Sequence, residues 1–245
     1  MASALVVIPT YNEQANIGAM IDAVLKLPQG FHLLIVDDNS PDGTAQEVEQ
    51  NATRYPDRLF LMRRSGKLGL GTAYIAGFGW ALERDYAYVI EMDADFSHDP
   101  NTLPAMLDVC AQGADVVIGS RYIKGGRVED WPLDRILLSK GASLYVRMIT
   151  WMPVKDTTAG FVCYKREVLE KIDLSKIRFI GYAFQIELKF AAWKNGSRIQ
   201  EIPIVFRDRQ KGISKMSKGI FKEAVFGVLK MKWKGMFRNI YKKQA

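Results

Sequence analysis

The sequence predicts an α/β protein with a mainly parallel central sheet and helices on both faces. Three observations carry this. Short apolar runs alternate with helix-periodic segments through the first half of the chain. Carboxylate-rich clusters stand directly after three of those runs. No stretch of about eighteen uncharged apolar residues occurs, so no membrane-spanning helix is expected. At 245 residues, 48% hydrophobic and 25% charged, the chain is long enough for one large domain with a full core.

The predicted strands are 4–8, 32–36, 59–62, 86–91 and 114–118, rich in β-branched and aromatic residues. Helical periodicity covers 14–27, 43–55, 71–83 and 101–111, and Pro41-Asp42-Gly43-Thr44 supplies a turn and capping groups for the second helix. Pro9 is expected to end the first strand. In the less regular second half, 134–151 reads as a helix, 161–165 as a strand and 184–194 as a helix. Residues 198–205 read as a strand at an edge or an end, because Pro203 cannot donate to a ladder. Residues 210–218 form a Gly/Ser/Lys loop, and a last helix is expected from 219 to about 241.

Charge is unevenly placed. From Lys211 onward there are ten Lys or Arg against one acid, so the net +7 is a tail of +9 on a domain of −2. The division expected is therefore a catalytic domain over 1–210 and a basic tail over 211–245. In that tail Phe221, Val225, Val228, Leu229, Met231, Trp233, Met236, Phe237 and Tyr241 alternate with lysines and Arg238, a pattern suited to an amphipathic helix on an anionic bilayer. The other expectation for it is a solvated basic face packed on the domain. No nucleic-acid recognition module accompanies the charge, so no nucleic-acid partner is expected. Cys110 and Cys163 stand far apart with no zinc-type spacing, which suits free thiols in a reducing compartment. Leu5–Ile8 runs straight into Pro9 without a basic leader, so no secretory signal is expected.

In parallel sheets, ligands bind beyond the carboxyl ends of the strands. That is where 9–13, 37–42 and 93–98 fall. Asp93-Ala-Asp95 ends an apolar run, and extended residues i and i+2 share a face, so two hard anionic oxygens stand together. A divalent cation with a diphosphate is the usual way to relieve their repulsion. Alone the triplet is common. Asp37 and Asp38, after the second strand, suit hydrogen bonds from a base or ribose, or simple capping of the next helix. Lys67-Leu-Gly-Leu-Gly-Thr-Ala-Tyr74 lacks the third glycine of a dinucleotide loop and any Walker lysine, and reads as close packing at a helix start.

Taken together, Pro9-Thr-Tyr-Asn-Glu13, Val36-Asp-Asp-Asn-Ser-Pro-Asp-Gly-Thr44, Asp93-Ala-Asp95 with His98, and Gly119-Ser-Arg-Tyr122 resemble family 2 of the glycosyltransferases. Within it the chain is similar to the dolichyl- or polyprenyl-phosphate mannosyltransferases (dolichol-phosphate mannose synthases). Gly181-Tyr-Ala-Phe-Gln-Ile-Glu-Leu-Lys189 and the run from Phe206 to Lys215 extend the resemblance, which spans roughly 4–218.

The resemblance implies a GT-A fold that binds GDP-mannose with Mg²⁺ or Mn²⁺. It places Pro9, Tyr11, Glu13, Val36 and Asp38 along the nucleotide, with Asp38 nearest the guanine. Asp93, Ala94 and Asp95 would meet ribose, diphosphate and metal, Asp95 being the direct ligand. Ser97 stands where relatives often carry a ligating Gln. Arg121, Arg135, Arg209 and Lys215 would hold phosphates, with Ser214 as an added donor, because a guanidinium fork matches phosphate oxygens. The implied reaction is inverting transfer of mannose to dolichyl or polyprenyl phosphate. Such an acceptor is already an anion at neutral pH, so no catalytic base is named; Asp93, Asp95 and Arg121 carry the chemistry. The implied place is the cytosolic face of a membrane, held peripherally by the tail or by a small anchor subunit. The alternatives are a UDP-glucose:polyprenyl-phosphate glucosyltransferase, a non-catalytic membrane-associated subunit of the same fold, and a nucleotidyltransferase.

Overall fold

The computed structural model describes residues 3–181, 183–208, 227–233 and 240–243. Arg209, Ser214 and Lys215, expected at the phosphates, lie outside the described residues, as does most of the predicted last helix.

Four strands build the first half: β1 (Ala4–Thr10), β2 (His32–Asp37), β3 (Leu59–Arg63) and β4 (Tyr88–Glu91). Helices α1 (Gln14–Leu25), α2 (Thr44–Ala52) and α3 (Leu70–Leu82) connect them. Then follow α4 (Leu103–Ala111), β5 (Val116–Ser120), β6 (Arg127–Glu129), α5 (Leu133–Thr150), β7 (Val162–Lys165), α6 (Arg166–Lys171), α7 (Phe184–Lys194), β8 (Ile199–Pro203) and β9 (Val205–Arg207). The seven-stranded sheet has the order β3-β2-β1-β4-β7-β5-β8. All its pairings are parallel except those of β7, which runs antiparallel to β4 and β5. Strands β6 and β9 form a small separate parallel pair.

Each predicted strand and helix of the first half is present, with ends shifted by a few residues. Strand β1 runs through Pro9 instead of ending there. In a parallel ladder alternate residues face opposite neighbours, and Pro9 faces the β4 side, where pairing stops at Val7–Glu91. The missing N–H therefore leaves no bond unmade. Pro203 closes β8, which is an edge strand.

One apolar layer lies under α1, α2 and α4, with Val6, Ile8, Ile17, Val24, Ile35 and Met106 fully buried. The other lies under α3 and α7, with Leu5, Val7, Tyr74, Phe78, Phe184 and Phe190. The 67–74 loop packs as expected. The Gly71 amide donates to Ile180 O at 2.8 Å, and a Cβ there would come within 2.6 Å of Phe179 O.

Part of the expected tail packs on the domain. A helical segment over 227–233 buries Val228 and Met231 in the core of the domain. Tyr241, expected at the end of that helix, lies in a turn instead. Its ring packs edge-on against Phe190 and its hydroxyl donates to Glu187 Oε1 at 2.9 Å. Part of the tail's apolar side thus faces protein. Among the described residues no helix is long and apolar enough to cross a membrane.

Candidate active site

After β1 the chain goes to β2 and β3 on one side, then returns to β4 on the other, so the strand order reverses between β1 and β4. Crevices form at such points beyond the carboxyl ends of the strands. Thr10–Glu13, Asp37–Thr44, Asp93–His98 and Ser120–Tyr122 all leave strands at this edge.

The β1 and β2 exits are tied together. Thr10 Oγ1 donates to Asp37 Oδ1 at 2.8 Å, and the Asp38 amide to Thr10 O at 3.0 Å. The Asn12 and Glu13 amides donate to Ser40 Oγ and Thr44 Oγ1, both at 3.0 Å. Asp37 is thereby consumed in shaping the loop, while Asp38 faces an ion partner. Arg64 Nε lies 2.9 Å from its Oδ1, close enough to pair yet not aligned as a hydrogen bond. Burial pushes the Asp38 carboxyl up, and the Arg64 charge opposes that. Lys67 Nζ stands 4.8 Å over the Tyr11 ring. Glu13 accepts from Asn16 Nδ2 at 3.1 Å. Val36 is fully buried in β2.

At the β4 exit, Asp93 is substantially exposed and Asp95 is buried. Phe96 adopts a left-handed conformation, φ 61°, which lets the Ser97 amide donate back to Asp95 Oδ1 at 3.1 Å. The Asp93 amide donates to His98 Nδ1 at 3.2 Å. His98 is buried, its ring stacked 4.9 Å from Phe161 and edge-on to Phe206 at 5.4 Å. Burial pulls its pKa down to about 4, so it is neutral near pH 7 and carries its proton on Nε2. Ala94 and Ser97 are buried beside these groups.

Arg121 follows β5 and is almost wholly buried. Nε and Nη2 each lie 2.7 Å from an oxygen of Asp156, and Nη2 also donates to Thr158 Oγ1 at 2.8 Å. Asp156 accepts the Arg121 amide as well. Burial works against the Asp156 carboxylate, but its bonds from Arg121 outweigh that and hold its pKa below the usual range. Arg135, in the first turn of α5, pairs with Asp208 at 3.2 Å and lies 3.9 Å over the Trp131 ring. Under β4, Glu91 and Lys189 are fully buried. Desolvation pushes Glu91 up to about 8 and pulls Lys189 down to about 8, each opposed by the other's charge. Lys189 Nζ donates to Ala159 O at 2.6 Å.

Sequence reasoning gave no role in the site to Arg64, Trp131, Asp156, Phe206 or the Glu91–Lys189 pair, although Lys189 and Phe206 stand in motifs that carry the resemblance. A signal existed for Glu91 and Lys189, since charged residues inside otherwise apolar runs must find partners when buried. Asp156 gave none, because its partner lies 35 positions away.

Residues 5–173 match the family described as glycosyl transferase family 2. The chain belongs to glycosyl transferase family 2. It is 48% identical over 224 residues to the polyprenol monophosphomannose synthase of Mycolicibacterium smegmatis, covering 91% of this chain and 84% of that protein. It is 43% identical over 240 residues to the undecaprenyl-phosphate mannosyltransferase of Micrococcus luteus, covering 95% and 96%. With the dolichol-phosphate mannosyltransferase of Pyrococcus furiosus it shares 35% over 244 residues, covering 97% and 66%. A solved structure of glucosyl-3-phosphoglycerate synthase from Mycobacterium tuberculosis superposes with a TM-score of 0.71 at 17% identity, over 95% of this chain and 80% of that one. The fold of this family-2 glycosyltransferase is accordingly the GT-A type that the sequence implied. Another complex of the same synthase, at TM-score 0.68, contains Mn²⁺ and UDP-glucose.

The donor set of this glycosyltransferase fits a hard divalent ion. Asp93 and Asp95 supply carboxylate oxygens, and the Ser97 amide orients Asp95. Among the described residues no group of three or more His, Cys, Asp or Glu gathers elsewhere or here. Two carboxylates would leave the remaining positions of a Mg²⁺ or Mn²⁺ shell to diphosphate oxygens, water and the Ser97 hydroxyl.

Proposed function

We propose that this enzyme transfers mannose from GDP-mannose to a polyprenyl or dolichyl phosphate with inversion at the anomeric carbon. The observation that carries the reading is the shared edge: the Asp93–Asp95 pair, the β1–β2 exit loops and two arginines meet beyond the ends of β1, β4 and β5. Relatives named for mannosyl transfer to polyprenyl phosphates support the sugar and the acceptor.

In this reading Pro9, Tyr11, Glu13, Val36 and Asp38 hold the nucleoside, with Arg64 fixing Asp38. Asp93, Asp95 and, with a shorter reach, Ser97 would hold Mg²⁺ or Mn²⁺, which when bound offsets charge on the diphosphate. Arg135, Arg209, Ser214 and Lys215 hold the acceptor phosphate, and Arg121, its Nε and Nη2 bonded to Asp156 and Thr158, stiffens this edge of the site as one half of a net-neutral pair. An acceptor phosphate oxygen attacks C1 of the sugar. The C1–O bond to the nucleotide breaks, its electron pair leaves with GDP, and a β-linked product results. The acceptor is already ionised, so no proton need be removed. Neutral His98 orients the Asp93 backbone and takes no proton.

Membrane contact belongs to the same reading. Leu133, Leu137, Leu144 and Met148 on α5 are all exposed and fall within about 60° of one another around the helix axis. Ser143, Val146 and Thr150 are buried on the opposite face. Trp151 caps the stripe beside Lys232 of the 227–233 segment, 3.9 Å from its ring, and Trp233 is exposed nearby in sequence. Lys140 and Arg147 flank the stripe. An apolar stripe edged by basic residues suits a helix lying on the cytosolic face of an anionic bilayer. A small anchor subunit would add to it.

The test is transfer of radiolabelled sugar from GDP-mannose, and in parallel UDP-glucose, into organic-extractable polyprenyl phosphate, with and without Mg²⁺ or Mn²⁺. Metal-dependent label from GDP-mannose, reduced about 100-fold or more by Asp95→Ala, is expected. Label from UDP-glucose alone would overturn the donor assignment.

A further inference from the structure

Trp131 occupies an unusual place between the two arginines. The Arg121 guanidinium lies 5.6 Å from its ring centre and that of Arg135 lies 3.9 Å away. Its edge meets Phe206 at 5.2 Å, and Phe206 in turn meets the His98 ring. Pro132 follows directly and confines Trp131 to extended backbone, so the indole is presented from the turn that starts α5. Arg135 sits in the first turn of that helix, where the backbone dipole disfavours a cation. Its position is therefore held by neighbours: Asp208 at 3.2 Å and the indole face. A side chain about one third exposed would otherwise sample many rotamers.

We propose that Trp131 is the positioning residue for the acceptor phosphate: its indole face fixes the Arg135 guanidinium ahead of acceptor binding. This rests on the reading of Arg135 as a phosphate ligand. The face is what meets Arg135, while Nε1 has no hydrogen-bond partner among the described protein groups and so ties neither arginine to the ring. A planar guanidinium stacked on a ring keeps its edge N–H groups directed outward, where phosphate oxygens can accept them. Preorganisation of this kind lowers the acceptor KM and leaves nucleotide affinity alone.

The experiment compares Trp131→Phe with Trp131→Leu, which differ mainly in the π face, together with Arg135→Ala, all verified as folded by thermal unfolding. The acceptor is a soluble ten-carbon prenyl phosphate, so membrane partition does not enter. Initial rates are taken at saturating GDP-mannose, and GDP affinity is measured separately by calorimetry with Mn²⁺. Trp131→Phe is expected to keep the acceptor KM within about threefold of the parent. Trp131→Leu should raise it about tenfold, with the Kd for GDP within about twofold. A raised KM in Arg135→Ala with no difference between the Leu and Phe variants overturns the proposal while sparing the reading of Arg135. An unchanged KM in Arg135→Ala overturns both. A Leu variant that weakens GDP as much as the acceptor also overturns it, since that marks general disruption of the site.

Discussion

Arg121 and Arg135 lie over the same indole, yet the protein holds them by opposite means. Arg121 is almost wholly buried, fixed in two directions by Asp156 and once more by Thr158. Arg135 is about one third exposed, and Asp208, its carboxylate partner among the described residues, is equally exposed. The first arrangement is rigid and costly to disturb. The second leaves a cation at the surface beside the apolar stripe of α5. The same contrast runs through the site as a whole. The proposed donor side is made of strand exits locked by backbone amides, whereas the proposed acceptor side is a helix start, a two-residue aromatic contact and an outward apolar face. A nucleotide has one shape and rewards a preformed cradle; a lipid phosphate arrives from a membrane and needs an accessible approach.

The largest effect expected from this contrast is in stability. Asp156→Ala strands the Arg121 guanidinium in the interior, and breaking a buried pair in that way costs about 3–5 kcal/mol. Thermal unfolding should show Tm falling by about 10 °C. Arg135→Ala removes a partly exposed pair worth about 0–1 kcal/mol, so its Tm should stay within about 3 °C of the parent. Equal losses in the two variants would break the comparison.

A smaller, pH-dependent effect is expected from Lys189, which lies beneath the donor side. Burial holds its folded pKa at about 8 against an ordinary value of 10.5. Between those values the unfolded chain binds more protons than the folded one, so stability rises with pH across that window. It is lost again as pH falls through 8. Lys189→Met should flatten that rising limb in denaturant titrations between pH 8 and 10.5. A limb that persists would mean another group titrates there.

The two sides also differ in how far they could be read from sequence. Each cluster on the proposed donor side follows a parallel strand with clear apolar character, so the strand pattern alone puts Asp37, Asp38, Asp93 and Asp95 at one edge. Some of the loop bonds that fix them are local, Asx contacts over two or three residues, while Thr10 and Arg64 reach Asp37 and Asp38 from the ends of neighbouring strands. What escaped was long-range. Strand β7 enters antiparallel between β4 and β5, and a short apolar run carries no sign of its direction. Asp156, Trp131 and Phe206 reach the site from loops and from a three-residue strand, where periodicity has nothing to act on. The tail was ambiguous for a related reason: its alternating apolar and basic residues fit a bilayer or a protein surface equally well, and of its described residues Val228, Met231 and Tyr241 face protein.

That division leaves the exposed face of α5 as the proposed membrane contact, and the smallest stability effect follows from it. Leu144 and Met148 are exposed and line a shallow groove of about 310 Å³ with Arg147, Trp151, Met152 and Pro153. Replacing both with Ser removes little packing, so Tm should move by no more than a surface substitution does, about 0.5 kcal/mol each. Binding to anionic vesicles should respond differently. Each side chain that enters the acyl boundary contributes about 1 kcal/mol at half its full burial, so the double variant should bind vesicles about thirtyfold more weakly. Activity toward a soluble prenyl phosphate should be unchanged, because neither residue approaches Arg135 or Trp131 in the contacts of the site. Loss of vesicle binding without loss of Tm would separate the lipid-facing helix from the packed tail. Undiminished binding would return the membrane contact to the tail's basic residues, and the stripe on α5 would then be a surface for another protein.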